Sequence, residues 1–299
     1  METFVAIARS LSFTAAAHDV HLSQPAVSRQ VQSLEQELGV SLLERRRRGG
    51  IELTAAGERF LEYARDVLER HRQLLQELRE GPDGLAGEVR IAASTTTGEF
   101  LVPWFAATFT ARYPEVHPEV VITNSKDVVV ALRERRCDLA FAGARLPGAD
   151  LVFDPIAEDE VVLAVPEDHP FAERGEIDLA ELEGLPLFER EAGSGTRLTL
   201  QSALAERGLP PPAGRLVMVL GNSRAILSAV QNRHGFGFVS SLSLQDTEQQ
   251  GVVGVRLAGI PMRRRLYLVT ERQRSLSPSA TAFIAWVREL STGEPAATR

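Results

Sequence analysis

Cysteine is nearly missing from this 299-residue chain. Cys137 stands alone, so no disulfide can form within the chain and its stability must come from packed cores. Histidine is sparse too. The six at positions 18, 21, 71, 117, 169 and 234 show no zinc-protease spacing, and His18 and His21, three apart, read as surface groups at a helix end rather than metal ligands. Lysine is reduced to Lys126, with arginine supplying the other cations. Gly193-Ser194-Gly195-Thr196 therefore lacks the lysine, and also the spacing, of a phosphate-binding loop, and it does not fit a Gly-x-Ser-x-Gly nucleophile elbow either. The chain reads as a non-enzyme. It also lacks an apolar run long enough to span a bilayer and a charged-then-apolar leader, which argues against a membrane partner and for the cytoplasm.

What is present concentrates between residues 12 and 57. Ser12 is placed to cap a short helix whose Ala15-Ala16-Ala17 run lets a second helix approach closely. Ser23 can cap that second helix, with Pro25 in its first turn and Gly39 as its stop. Val27, Val31, Leu34 and Leu38 share one face at helical spacing, and Gln24, Ser28, Arg29 and Gln32 share the other. Amide, hydroxyl and guanidinium groups on an exposed helix suit base edges and phosphates in a major groove. The same pattern also fits an amphipathic hairpin with a solvated polar face. The next segment weighs toward the first reading: Arg45-Arg46-Arg47-Arg48-Gly49-Gly50 joins Leu42-Leu43 to Ile51-Glu52-Leu53, two short strands around a basic tip. A tip at that distance after a recognition helix can straddle the sugar-phosphate backbone.

Together, Phe4, Ser12-Phe13, Ala15-Ala16-Ala17, Leu22-Ser23-Gln24-Pro25-Ala26-Val27-Ser28, Leu34-Glu35, Leu38-Gly39, Leu42-Leu43, Arg46 and Leu53-Thr54 with Ala56-Gly57 carry a resemblance. The chain resembles the LysR-type transcriptional regulators from about residue 1 to its C-terminus. Members usually carry a few more residues before Glu2, so the first helix is expected to be shortened. The resemblance implies an all-α, winged helix-turn-helix DNA-binding domain followed by an α/β effector region, in two lobes like a type 2 periplasmic-binding protein. Double-stranded DNA is the expected partner, with contacts from Ser23, Gln24, Pro25, Ser28, Arg29, Gln32, Arg45, Arg46, Arg47 and Arg48.

A net charge of −7 looks wrong for a DNA binder. Residues 1–65 hold eight arginines against eight acids, so the basicity is local, and affinity depends on which charges reach phosphates. Beyond Gly57, Phe60, Ala64, Val67, Leu68, His71, Leu74, Leu75 and Leu78 form one long stripe that needs a partner helix. The simplest partner is a second copy. A homodimer, which relatives often pair into a dimer of dimers, would read an interrupted inverted repeat. RNA polymerase is a further candidate partner. The expected boundaries are a DNA-binding domain over 1–57, a linker helix over 58–80, a hinge over 81–87, an effector domain over 88–291 and a tail over 292–299.

From Glu88 the rhythm becomes strand, polar turn, helix, which argues for α/β with a mostly parallel sheet. Val89 to Ala93, Val120 to Ile122 and Leu139 to Phe141 are strands, and one helix is expected from the first polar turn to about Arg112. Cys137, at the start of the third strand, reads as a small core residue rather than a redox sensor. Lobe 1 is expected over 88–165 and 264–291, and lobe 2 over 166–263. Three polar turns should face the cleft between them: Ser94-Thr95-Thr96-Thr97, Gly193-Ser194-Gly195-Thr196-Arg197 and Gly221-Asn222-Ser223. Each alone is a set of helix N-caps; three on one cleft read as an anion site built from hydroxyls and helix N-termini rather than a salt-bridging lysine. The expected contacts are Ser94, Thr95, Thr96, Gly143, Ser194, Gly195, Thr196, Arg197, Asn222 and Ser223. Gly-Ser-Gly-Thr-Arg resembles the sulfur- and carbon-assimilation branch, near the cysteine-biosynthesis regulators, and suggests a sulfate- or sulfite-like oxyanion or a small carboxylate, with no other cofactor. An exported solute receptor and an effector-independent DNA-binding protein are the rival readings.

Overall fold

The computed structural model describes residues 1–45, 50–78, 85–245, 251–272 and 274–292. Two compact units result, Met1–Arg79 and Glu80–Arg299. Arg46, Arg47, Arg48, the Arg45 side chain, most of the 81–87 hinge and nearly all of the tail lie outside the described residues.

In the first unit, α1 (Glu2–Ser10), α2 (Phe13–Asp19) and α3 (Gln24–Leu38) form a three-helix core. The Ser12 and Ser23 hydroxyls accept from the Ala15 and Ala26 amides at 3.3 and 3.4 Å, and Gly39 closes α3 at φ 69°. Ile7, Ala16, Ala17, Val27 and Val31 pack together. The apolar stripe of α3 stops at Val31, since Leu34 is half-buried and Leu38 is exposed at the helix end. β1 (Leu43–Arg45) pairs antiparallel with β2 (Ile51–Leu53), so the wing forms as expected.

Thr54 explains the sequence that follows the wing. Its hydroxyl donates to the Ser41 carbonyl at 2.7 Å and accepts from the Gly57 amide at 3.0 Å, starting α4 (Ala55–Glu77). A Cβ on Gly57 would sit 2.0 Å from the Leu42 carbonyl oxygen, so only glycine fits. Glu35 ties the wing from the other side, accepting from the Leu42 and Leu43 amides at 2.7 and 3.1 Å.

The second unit repeats one pattern twice. In lobe 1, β3 (Gly87–Ser94) is followed by α5 (Thr95–Phe100), α6 (Val102–Arg112), β4 (Val116–Thr123), α7 (Ser125–Arg133) and β5 (Leu139–Ala142). The single helix expected after β3 is thus two, because Pro103 cannot donate an intrahelical bond and restarts the helix. β3 lies between β4 and β5, parallel to both. β6 (Leu151–Pro166) crosses to lobe 2, where α8 (Pro170–Arg174) and β7 (Glu176–Ile177) precede β8 (Pro186–Arg190), α9 (Gly195–Ala205), β9 (Arg215–Leu220), α10 (Ser223–Gln231) and β10 (Phe236–Ser240). Again the first strand of the trio, β8, lies between the other two in parallel. β11 (Val252–Leu257), β12 (Arg263–Glu271) and α11 (Pro278–Thr292) complete the chain.

The two half-sheets share β6. Its residues up to Glu160 pair with β12, and those from Val161 onward pair with β10 and β11. The crossover therefore falls at Glu160 and Val161, ahead of the expected 165/166 boundary. Pro166 marks the end of the strand, not the change of lobe. In each trio the chain leaves the central strand for one neighbour and returns to the other. That switch point opens a crevice at the strand's carboxyl end, and the ends of β3 and β8 face each other across the lobes.

Candidate functional site

The cleft between the lobes is lined by Ser94, Thr95 and Thr96 from the end of β3, Asn124 and Ser125 at the start of α7, Gly143 after β5, Arg190 ending β8, Ser194, Gly195 and Thr196 opening α9, and Arg264 on β12. Seven of these are expected contacts. Three expected contacts lie elsewhere. Arg197 turns away to donate to the Arg190 carbonyl at 3.0 Å and pair with Glu189 at 3.2 Å. Asn222 caps α10 by accepting from the Ala225 amide, and Ser223 is reached by Arg190 instead of lining the cleft. Polar residues in strand-to-helix turns serve local capping before anything else, and the third turn is used that way.

The cations are what sequence reasoning missed. Arg264, 9% exposed, donates from Nε to Asp159 at 2.8 Å and from Nη2 to the Thr96 hydroxyl at 3.2 Å. Asp159 also accepts from the Ser240 hydroxyl at 2.8 Å and the Ser241 hydroxyl at 3.1 Å. Burial pulls the Arg264 guanidinium below its ordinary value and Asp159 pulls it back up; an arginine stays charged through such a contest. Arg190 is equally enclosed. It pairs with Glu191 at 2.8 Å and donates to Ser223, to the Gly221 carbonyl and, across the cleft, to Thr95 at 3.2 Å. The expected lining of hydroxyls, helix N-termini and Arg197 is thereby corrected: the guanidinium groups at the cleft are the buried Arg190 and Arg264, not Arg197.

Two of the hydroxyls are already engaged. Thr97 is pinned to Ser94 and the Phe141 carbonyl, and Thr95 donates to the Thr123 carbonyl. Ser194, although it stands at the N-cap of α9, makes no capping bond; its hydroxyl is buried without any hydrogen-bond partner. Such a group costs about 1–3 kcal/mol unless something satisfies it. Beside it lie the α9 N-terminus and the Thr196 hydroxyl, a donor set suited to a small anion.

Glycines let the lobes meet. A Cβ on Gly195 would lie 2.8 Å from the Ser125 hydroxyl and 3.0 Å from the Gly143 carbonyl oxygen, and one on Gly193 would lie 2.8 Å from Lys126 Cβ. The Lys126 amide donates to the Gly193 carbonyl at 3.2 Å. With the lobes this close, the space between them measures ≈ 10 Å³, about one water.

On α3, Gln24, Pro25, Arg29 and Gln32 are exposed and Ser28 is half-buried, while Val27 and Val31 are buried beneath them. Ser23 is spent on its cap. The polar row therefore stands on a rigid base. At the end of α4, Leu74 and Leu75 and the next residue beyond it, Leu78, are 51%, 42% and 73% exposed, an apolar strip. Cys137 is buried at 3% exposure, and burial pushes its thiol up to about 12, consistent with a core residue. Among the described residues no group of histidine, cysteine and carboxylate side chains is placed to hold a metal ion, and no helix is long and apolar enough to cross a membrane.

Residues 1–58 match the bacterial regulatory helix-turn-helix protein family of lysR type, and residues 82–292 match the LysR substrate binding domain. The RuBisCO operon transcriptional regulator of Allochromatium vinosum is 34% identical over 96% of this chain and 94% of its own length. The full-length structure of CbnR complexed with its target DNA superposes with a TM-score of 0.63 at 25% identity, covering 96% of this chain and 97% of that one. The regulatory domain of Synechocystis PCC6803 CcmR, in complex with 2-PG, gives a TM-score of 0.63 at 24% identity over 70% of this chain and all of that one.

Proposed function

Because the chain belongs to the LysR family of DNA-binding transcriptional regulators, we propose that its two-lobed domain senses a small anionic metabolite in the cleft described above. The buried, unpartnered Ser194 hydroxyl in a cleft floored by Arg264 carries this reading. Thr96, Ser194, Thr196 and the α9 N-terminus donate to the anion, Arg264 supplies charge, and Arg190 joins the lobes through Thr95. The ligand is an oxyanion such as sulfate or sulfite, or a small carboxylated or phosphorylated metabolite. The carbon-fixation relative and the 2-PG bound to CcmR support that class.

Ligand closure changes how a homodimer, or a pair of dimers, grips an interrupted inverted repeat, with the Leu74 to Leu78 strip covered by a second copy and RNA polymerase as the responding partner in the cytoplasm. Family membership removes the exported solute receptor from consideration; an effector-independent DNA-binding protein is the remaining rival. A thermal-shift screen over sulfate, sulfite, thiosulfate, phosphate, small carboxylates and 2-PG separates the two. At 100 times its dissociation constant a ligand adds about 2.7 kcal/mol. A binder is expected whose shift disappears in Ser194→Ala; no shift from any of them, with DNA binding intact, favours the rival.

A further inference from the structure

A larger cavity than the anion cleft lies wholly within lobe 2. Bounded by α9, β8 and the turn from Leu209 to Pro212, it measures ≈ 390 Å³, inside the roughly 300–1,000 Å³ span of small-molecule sites. Its walls are apolar. Phe188 and Phe238 are buried at 7% and 8% exposure, and Leu200, Leu204 and Pro212 line it with them.

The charged groups at this cavity are all paired. Glu189 and Arg197 form an ion pair at 3.2 Å, Arg190 at its border pairs with Glu191 at 2.8 Å, and Gln201 adds an exposed amide. A carboxylate entering here would be repelled by Glu189, while the arginines are already paired. A neutral molecule is not repelled and still finds an acceptor in Glu189 or Gln201. The cleft next door is set up differently, with Arg264 and unspent hydroxyls aimed at negative charge. Arg190 and Thr196 border both spaces: α9 begins in the cleft and then runs along this cavity, so an occupant would press on the helix whose first turn holds the anion.

We propose that lobe 2 carries a second ligand site, separate from the anion cleft, for a neutral and largely apolar small molecule with one hydrogen-bonding group, seated between α9 and the Phe188 and Phe238 rings.

Indole, flat and uncharged with a single N–H, is a suitable probe, and benzoate is its charged counterpart. Calorimetric titration of the full-length protein should show saturable indole binding, one per chain, with benzoate at least tenfold weaker. Ala205→Trp plugs the exposed rim and Leu200→Trp fills the interior; each should weaken indole at least tenfold. Ala205 is exposed, so its variant tests the site even if Leu200→Trp fails to fold. Thr96→Val, a change in the cleft alone, should leave indole binding untouched, whatever it does to inorganic phosphate binding. Absent or non-saturable indole binding, binding unchanged in Ala205→Trp, or binding lost in Thr96→Val overturns the proposal, and benzoate binding as tightly as indole overturns the neutral class. Indole-silent protein whose sedimentation changes in Ala205→Trp would reassign the cavity to an interface between copies, also against the proposal.

Discussion

The outer face of α3 and the inter-lobe cleft use the same chemistry under opposite solvation. Both present hydroxyls and guanidinium groups. On α3 every unmade bond is made to water, so Gln24, Arg29 and Gln32 stand ready at no cost and the helix tolerates their loss. In the cleft Arg190, Arg264, Ser194 and Thr196 are 4%, 9%, 1% and 2% exposed, so each charge needs a fixed partner and each idle hydroxyl raises the energy of the empty state. The surface proposed to read DNA is separable from stability, and the surface proposed to sense a ligand is not.

Arg264→Leu is expected to strain that contrast most. It leaves Asp159 buried with only the serine hydroxyls to serve it, a loss of about 3–5 kcal/mol, which a urea titration would show as a lowered midpoint. A variant within about 1 kcal/mol of wild type, the range of exposed pairs, would erase the difference between the two regions. Next in size is the ligand response. Thr96→Val or Thr196→Val keeps side-chain size and removes a hydroxyl from a charged ligand, so the midpoint of the DNA-mobility response should move to roughly ten- to hundredfold higher ligand, about 1.5–3 kcal/mol. Basal DNA affinity should stay put; unchanged midpoints in both would place the effector elsewhere.

Gln24→Ala should cost about 1–3 kcal/mol on the cognate site while leaving the thermal midpoint alone. Equal loss on random DNA would show that Gln24 grips rather than reads. Arg48→Ala should weaken all sequences alike and lower the salt slope by about 0.9. The gentlest probe is Cys137. Folding holds its thiol at about 12 against an ordinary 9.0, so above pH 9 the unfolded chain gives up a proton that the native chain keeps. Stability therefore falls as pH climbs from 9 toward 12, with a slope approaching about 1.4 kcal/mol per unit that Cys137→Ala should lack, while at pH 7 nothing changes. Thiol reagents should react with the native protein only as fast as it unfolds.

The caps, the wing and the α/β alternation were legible because each is local: Ser12 and Ser23 cap the amides three residues on, and β1 and β2 follow one another in the chain. The buried arginines were not, because both sit in charged stretches, Glu189-Arg190-Glu191 and Arg263-Arg264-Arg265, that read as solvated surface. A usable signal existed in strand parity. Arg264 falls on the same side of β12 as the buried Leu266 and Leu268, and Arg190 on the same side of β8 as the buried Phe188. Arg264 is held inside by a carboxylate distant in sequence, Asp159, and Arg190, beside its neighbour Glu191, reaches the distant Thr95 and Ser223; those contacts only the fold reveals. The three turns misled in part because capping and ligand binding call for the same residues: Asn222 caps, Ser194 does not.

That β6 serves both half-sheets also limits how this gene can vary. In lobe 2 Val161, Leu163 and Val165 enter one core while Val162 and Ala164 enter another on the opposite face. A one-codon insertion or deletion at the crossover would exchange those two sets, or else push the same error back into the pairing with β12. Substitutions can be absorbed one lobe at a time, but a change of length here confronts both lobes at once. Loops such as the Leu209 to Pro212 turn, and not the strand that joins the lobes, are where the chain can grow or shrink.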